Sequence, residues 1–147
     1  MLFHFRTLLI AFFSLFIAVD SVAEQRKTFG DYDVHYSVLN TTFLEPDIAQ
    51  QYGITRGKDQ AIVNISVRKN LRDGSDKAQR VVISGTSSDL IHSTDLRFKE
   101  VIENNAIYYI APLRFNDKEL RSFTISVQPD PNIKAYTVKF NHTLYEQ

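Results

Sequence analysis

From residue 29 to residue 39 the chain alternates. Tyr32, Val34, Tyr36 and Val38 fall on one side; Asp31, Asp33, His35 and Ser37 fall on the other. Successive strand side chains point to opposite faces, so this spacing predicts a half-buried strand. Residues 61–68 repeat the pattern, with Ala61, Val63, Ile65 and Val67 on the apolar side. Between the two, the period changes. Pro46 suits a first helical turn, where its missing N–H is not needed. Ile48, Ala49 and Tyr52 follow at helical spacing, and Gly53 can take the left-handed conformation that ends a helix. A short helix over 46–52 is predicted.

Further along, Asp73-Gly74 marks a hairpin. A strand is expected at 79–86 and, from the polar composition, a loop at 87–94. Residues 95–112 carry the sharpest expectation. Asn104-Asn105 tolerates the positive φ of a tight hairpin turn. With that turn, Glu103 faces Ala106, Ile102 faces Ile107, Glu100 faces Tyr109 and Phe98 faces Ala111. Leu96, Phe98, Ile102, Ile107, Tyr109 and Leu113 then share an inner face, and Arg97, Lys99 and Tyr108 an outer one. A slip by one residue would drive the charges into the core. Asn116 with Glu119 three residues on resembles a capping box. Strands at 121–128 (Phe123, Ile125 and Val127 inward) and 135–145 (Tyr136, Val138, Phe140 and Leu144 inward) flank a rigid Pro129-Asp130-Pro131-Asn132 turn.

This makes seven strands and one or two short helices. Strands joined by short turns, without βαβ spacing, predict an all-β fold, an antiparallel two-sheet β-sandwich; a closed barrel is the alternative.

Composition changes the picture mainly at the N-terminus. Residues 1–23 read as a secretory signal peptide: Arg6, then an apolar run from Leu8 to Val19, then Ser21-Val22-Ala23 with small residues where a signal peptidase cuts. Cleavage is expected before Glu24. The rival reading is a retained anchor, but the run is about 12 residues against the roughly 20 that a spanning helix needs. Residues 24–147 remain as one expected domain. The chain has no cysteine, so an exported domain of this sequence relies on packing rather than disulfides. Its 17 basic and 17 acidic residues balance, which argues against nucleic acid as a partner. No later segment is long and apolar enough to cross a membrane.

Several stretches together resemble an uncharacterised family of small secreted proteins of Gram-negative bacteria, known only as a domain of unknown function. The matching residues begin with Gly30-Asp31-Tyr32, Val34-His35-Tyr36 and Phe43-Leu44-Glu45-Pro46. Ala49, Tyr52-Gly53-Ile54, Arg56 and Asn64-Ile65-Ser66-Val67 follow, then 106–109, Arg114-Phe115 and 140–145. The resemblance implies a periplasmic location and an immunoglobulin-like sandwich. It brings no activity.

Chemistry-bearing constellations are sparse. His35, His92 and His142 follow the signal segment, and none sits at metal-ligand spacing, so no metal or cofactor is called. His35 alternates onto the polar face of the first strand. His142 interrupts the apolar side of the last, as a satisfied, partly buried histidine would. Ser87, His92 and Asp95 lie close in sequence, but Gly85-Thr86-Ser87-Ser88-Asp89 lacks the closing glycine of a nucleophile elbow. Arg56, between the helix and the next strand, reads as a cap for backbone carbonyls or one half of an ion pair. Its functional alternative is a donor fork for a carboxylate or phosphate, with Tyr52 as a wall. Tyr108, with Ile110, could form an apolar patch on the outer hairpin face. The candidate interaction residues are therefore Arg56, Tyr52, His35 and Tyr108.

Three functions remain open on this reading. One is a non-enzymatic periplasmic module that binds an envelope protein or another periplasmic component. A second is an enzyme with a site assembled from distant residues around His35 and Arg56. The third is a folding or stability factor for another exported protein.

Overall fold

The structure is a computed structural model that describes residues 25–147. The expected signal segment and its cleavage point lie outside the described residues. Ten strands run in the order β1 (Gln25–Phe29), β2 (Tyr32–Asn40), β3 (Gln60–Asn70), β4 (Asp76–Ala78), β5 (Val82–Ser88), β6 (Ser93–Asp95), β7 (Lys99–Glu103), β8 (Ala106–Arg114), β9 (Glu119–Gln128) and β10 (Tyr136–Leu144). A 3-10 turn (Thr41–Phe43) and helix α1 (Pro46–Gln51) interrupt them between β2 and β3. A front sheet orders β1-β2-β3-β8-β7, with β4 beside the far end of β3; a back sheet orders β10-β9-β5-β6. All pairings are antiparallel, and the two sheets form an immunoglobulin-like sandwich.

The seven expected strands are all present, and three short ones join them. The polar β1 pairs with β2, and the three-residue β4 and β6 occupy segments whose sequence shows no apolar side. The 79–86 strand is displaced to Val82–Ser88 because residues 79–81 carry the chain from front sheet to back. Gln79 N–H still bonds the Val67 carbonyl of β3 (2.8 Å), while the Gln79 side-chain amide donates to Pro129 O (3.1 Å) beyond β9. The loop expected at 87–94 is instead the end of β5, a tight turn and β6. Asp89 Oδ1 accepts the N–H groups of Ile91 (2.7 Å) and His92 (2.6 Å), which closes that turn without glycine.

The core lies between the sheets. Val34, Val63, Ile65 and Val67 of the front sheet and Phe123, Ile125, Val127, Val138 and Leu144 of the back sheet are at most 1% exposed. Burying one such side chain contributes about 1.5–3 kcal/mol. One flank is closed by rings: Phe29 stacks on Tyr136 (4.8 Å between centroids), Tyr36 meets Phe140 (4.5 Å), and Phe140 stacks on Phe123 (4.9 Å). Tyr109 fastens the sheet crossing. Its hydroxyl donates to Glu100 Oε2 (3.0 Å) and accepts the Val81 N–H (3.0 Å).

The β7–β8 hairpin has the expected register: Glu103 faces Ala106, Ile102 faces Ile107 and Glu100 faces Tyr109. Asn104 takes a φ of 50° in its turn. Tyr109 is buried, as that register requires, and Tyr108 is half-buried on the other face. Ile102 departs from expectation. It is 52% exposed, because β7 is an edge strand and the smaller back sheet leaves its inner side uncovered. Its neighbour Val101, on the outer face, is only 7% exposed.

Candidate functional site

The outer face of the front sheet explains Val101. Strands of a sandwich normally leave this face to water, yet Ile62, whose neighbours Ala61 and Val63 point into the core, is 3% exposed. Its cover is the segment between β2 and β3. Pro46 starts α1 and Ala49 is its buried residue. Gly53, at a φ of 67°, turns the chain out of the helix, so that Tyr52 and Ile54 lie along the sheet. Thr41, 1% exposed, holds the segment's two ends together. It accepts the Gly57 N–H (3.0 Å) and reaches Gln60 O (3.2 Å). Asn40 ties the same corner to the C-terminus by donating to Tyr145 O (2.6 Å).

The cover does not fit closely. Between it and the sheet is a cleft of about 270 Å³, walled by Tyr52, Gly53 and Ile54 and floored by Val101, Ile110 and Pro112. Arg97 and Lys99 stand at its rim, and the Lys99 ammonium donates to the Tyr52 carbonyl (3.4 Å). Of four buried side-chain polar atoms without a hydrogen-bond partner among the described residues, one, Arg121 Nε, is ion-paired with Glu119 (3.2 Å) on the back sheet, and the other three are Thr42 Oγ1, Tyr52 OH and Asn64 Oδ1. These three belong to the cover and to the strand beneath it. Each such orphan costs about 1–3 kcal/mol, so this seam is under-satisfied compared with the sandwich core.

A second concavity, of about 170 Å³, opens on the same face. His35 of β2, Ser66 and Arg68 of β3, Ala78 of β4, and Ala106 and Tyr108 of β8 line it. His35 lies opposite Ser66 in the β2–β3 register. Charge is pinned at its edge: Arg68 pairs with Asp76 (2.6 Å), and Asp33 accepts from Thr28 (2.5 Å) and Asn70 (3.2 Å). The Thr28 hydrogen bond, with those of Asn70 and the nearby Arg26 charge, holds the Asp33 carboxyl below its usual range against the opposing effect of burial.

The structure thus brings His35 and Tyr108 together and places Tyr52 in the neighbouring cleft. Arg56 lines neither. It is exposed and caps a backbone carbonyl, that of Thr42 (3.2 Å), the bonding role that the sequence suggested for it. The cations beside Tyr52 are Arg97 and Lys99 instead. Their spacing of two residues on one strand face was the signal available in the sequence.

Ser87, His92 and Asp95 do not assemble. Ser87 is 1% exposed on the inner side and accepts from Arg121 (3.4 Å). His92 sits on the exposed β5–β6 turn beside Asp89 (3.7 Å), and Asp95 is exposed opposite Thr86. His142 is half-buried opposite Arg121, and burial pushes its pKa down. Among the described residues, no three histidine, aspartate or glutamate side chains lie close enough to hold a metal ion, and no helix is long and apolar enough to cross a membrane.

Fold and face together define an immunoglobulin-like sandwich with one partly covered sheet. The chain belongs to the domain of unknown function DUF4426 family, whose model matches residues 26–147. A protein of that family from Pseudomonas aeruginosa PAO1 has a crystal structure that matches with a TM-score of 0.73 at 33% identity, over 84% of this chain and 96% of that one. The copper-bound variant of FetP from uropathogenic Escherichia coli matches at 0.62 with 12% identity, over 85% and 97% of the two chains. As-isolated FetP, expressed in the periplasm of Escherichia coli, matches at 0.59, also with 12% identity, over 85% and 95%. At that identity the FetP likeness is one of fold. No curated protein matches the chain.

Proposed function

We propose that the protein is exported to the periplasm, loses residues 1–23, and acts there as a non-enzymatic binding module. It takes its ligand or protein partner on the outer face of the front sheet. The observation that supports this reading is the asymmetry of the two outer faces. The back sheet presents a broad array of short hydroxyl side chains, such as Ser84, Thr86, Ser122 and Thr124, at paired positions along its strands. Of those hydroxyls, Ser84, Thr86 and Thr124 line one wide hollow of about 500 Å³, whereas the front sheet has the segment after α1 laid along it, two smaller concavities side by side, and the half-buried His35, Tyr52 and Tyr108 along them. Concave, partly apolar surfaces with a few polar groups are the usual form of ligand sites.

The test is affinity capture from periplasmic extract with the tagged mature protein. Four variants accompany it: Tyr108→Ala and His35→Ala on the front face, Arg56→Ala beside the helix, and Lys139→Ala on the back sheet. A species retained by Lys139→Ala and lost with Tyr108→Ala is the expected result. Equal retention by all variants, or no enriched species, would remove the front face from the account. Mass spectrometry of the mature protein checks the export reading, which requires a chain starting at Glu24.

A further inference from the structure

We propose that the cleft between the Tyr52-Gly53-Ile54 segment and the front sheet is a binding site for a small amphipathic anion, a carboxylate on an apolar tail. The inference rests on the front face being the binding face and adds the chemistry of what one part of it takes. Three features carry it. The floor is apolar: Val101 is 7% exposed, and Ile110 and Pro112 continue its surface along β8. The rim is cationic, with Arg97 and Lys99 and no acidic side chain among the lining residues. In a chain whose 17 basic and 17 acidic residues cancel, that local excess is not a general property of the surface.

The third feature is positional. Lys99 is anchored at the lip by the Tyr52 carbonyl (3.4 Å), so its charge is held over the opening. Arg97 makes no hydrogen bond or ion pair with any described residue and keeps its planar donor fork available, the geometry that accepts a carboxylate through two parallel hydrogen bonds. A tail laid on Val101 and Ile110 would leave its head group at the rim. At about 270 Å³ the cleft sits just under the range of about 300–1,000 Å³ usual for small-molecule sites, which suits a short chain rather than a two-tailed lipid.

Octanoate and octanol form the decisive pair of probes, because they share an apolar chain and differ in charge. Each is titrated into isotope-labelled mature protein while the amide signals of Gly53, Val101 and Ile110 are followed. Octanoate should shift them saturably, and octanol should bind more weakly. Arg97→Glu combined with Lys99→Glu should weaken octanoate about tenfold or more, equivalent to about 1.4 kcal/mol, and leave octanol unchanged. Both positions are exposed, so folding should survive; Lys134→Glu, exposed in the turn before β10, is the charge control. No saturable octanoate shift, octanol binding as well as octanoate, or octanoate affinity untouched by the double reversal would each overturn the proposal. If capture still depends on Tyr108 in that case, the ligand class alone fails and the binding face stands.

Discussion

Removing one oxygen from Tyr109 tests how the two sheets are joined. In Tyr109→Phe the ring stays, so no cavity opens. What goes is a hydroxyl that donates to Glu100 Oε2 and accepts the Val81 N–H, both at 3.0 Å. The two losses are unequal. Glu100 is part-exposed and keeps its pair with Arg80 at 3.2 Å, so it is rehydrated at little cost. The Val81 N–H belongs to the residue just before β5, where the chain has left one ladder and not entered the next. Leaving it unpaired costs about 1–3 kcal/mol. A loss of about 2 kcal/mol follows, or about 6–10 °C in Tm for a domain of this size. Urea unfolding followed by far-UV circular dichroism measures it, with Tyr108→Phe as a control that should move by less than about 0.5 kcal/mol. If Tyr109→Phe is as stable as the parent, the hydroxyl does not secure the crossing and this reasoning is wrong.

Other expectations are independent of that one. A Cβ added at Gly85 would lie 2.7 Å from Ile125 Cδ1 and 3.0 Å from the Thr124 carbonyl, and backbone does not yield cheaply, so Gly85→Ala should cost about 1–3 kcal/mol in urea unfolding. Ile65→Ala, at a fully buried position, should cost about 2–5 kcal/mol by the same assay. His142 should make stability fall as the pH drops through 6.5. Burial lowers its pKa in the folded chain, so the unfolded chain takes up the proton first. Thermal melts from pH 8 to 5 should show that slope in the parent and a flatter one in His142→Gln. Asp33 and Asp59, held below 3.8 chiefly by hydrogen bonds from Thr28 and Arg114, place a separate loss of stability in the acid range below that window.

The sequence was most readable where one face of a strand is buried and the turn is chemically marked. The β7–β8 register followed from Asn104-Asn105 and the inward Tyr109, because a one-residue slip would have buried Lys99. β1, β4 and β6 were missed because a short edge strand carries no apolar alternation; the polar Arg26 and Lys27 pair with His35 and Val34 all the same. Ile102 was misplaced because alternation says which face a residue takes but not whether another sheet covers it. The candidate site was half legible. Tyr52, His35 and Tyr108 were singled out, but their grouping depends on the strand order β2-β3-β8, which no local pattern encodes. The rim cations Arg97 and Lys99 lie more than forty residues from Tyr52 and meet it only because the segment after α1 runs back along the sheet.

The most direct test of the central claim places a photo-crosslinking amino acid at one of two exposed positions in living cells, Thr55 beside the cleft wall of the front sheet or Lys139 on the back sheet. The account predicts an ultraviolet-dependent adduct from position 55 and none from position 139. Adducts from 139, or from neither position, would contradict it.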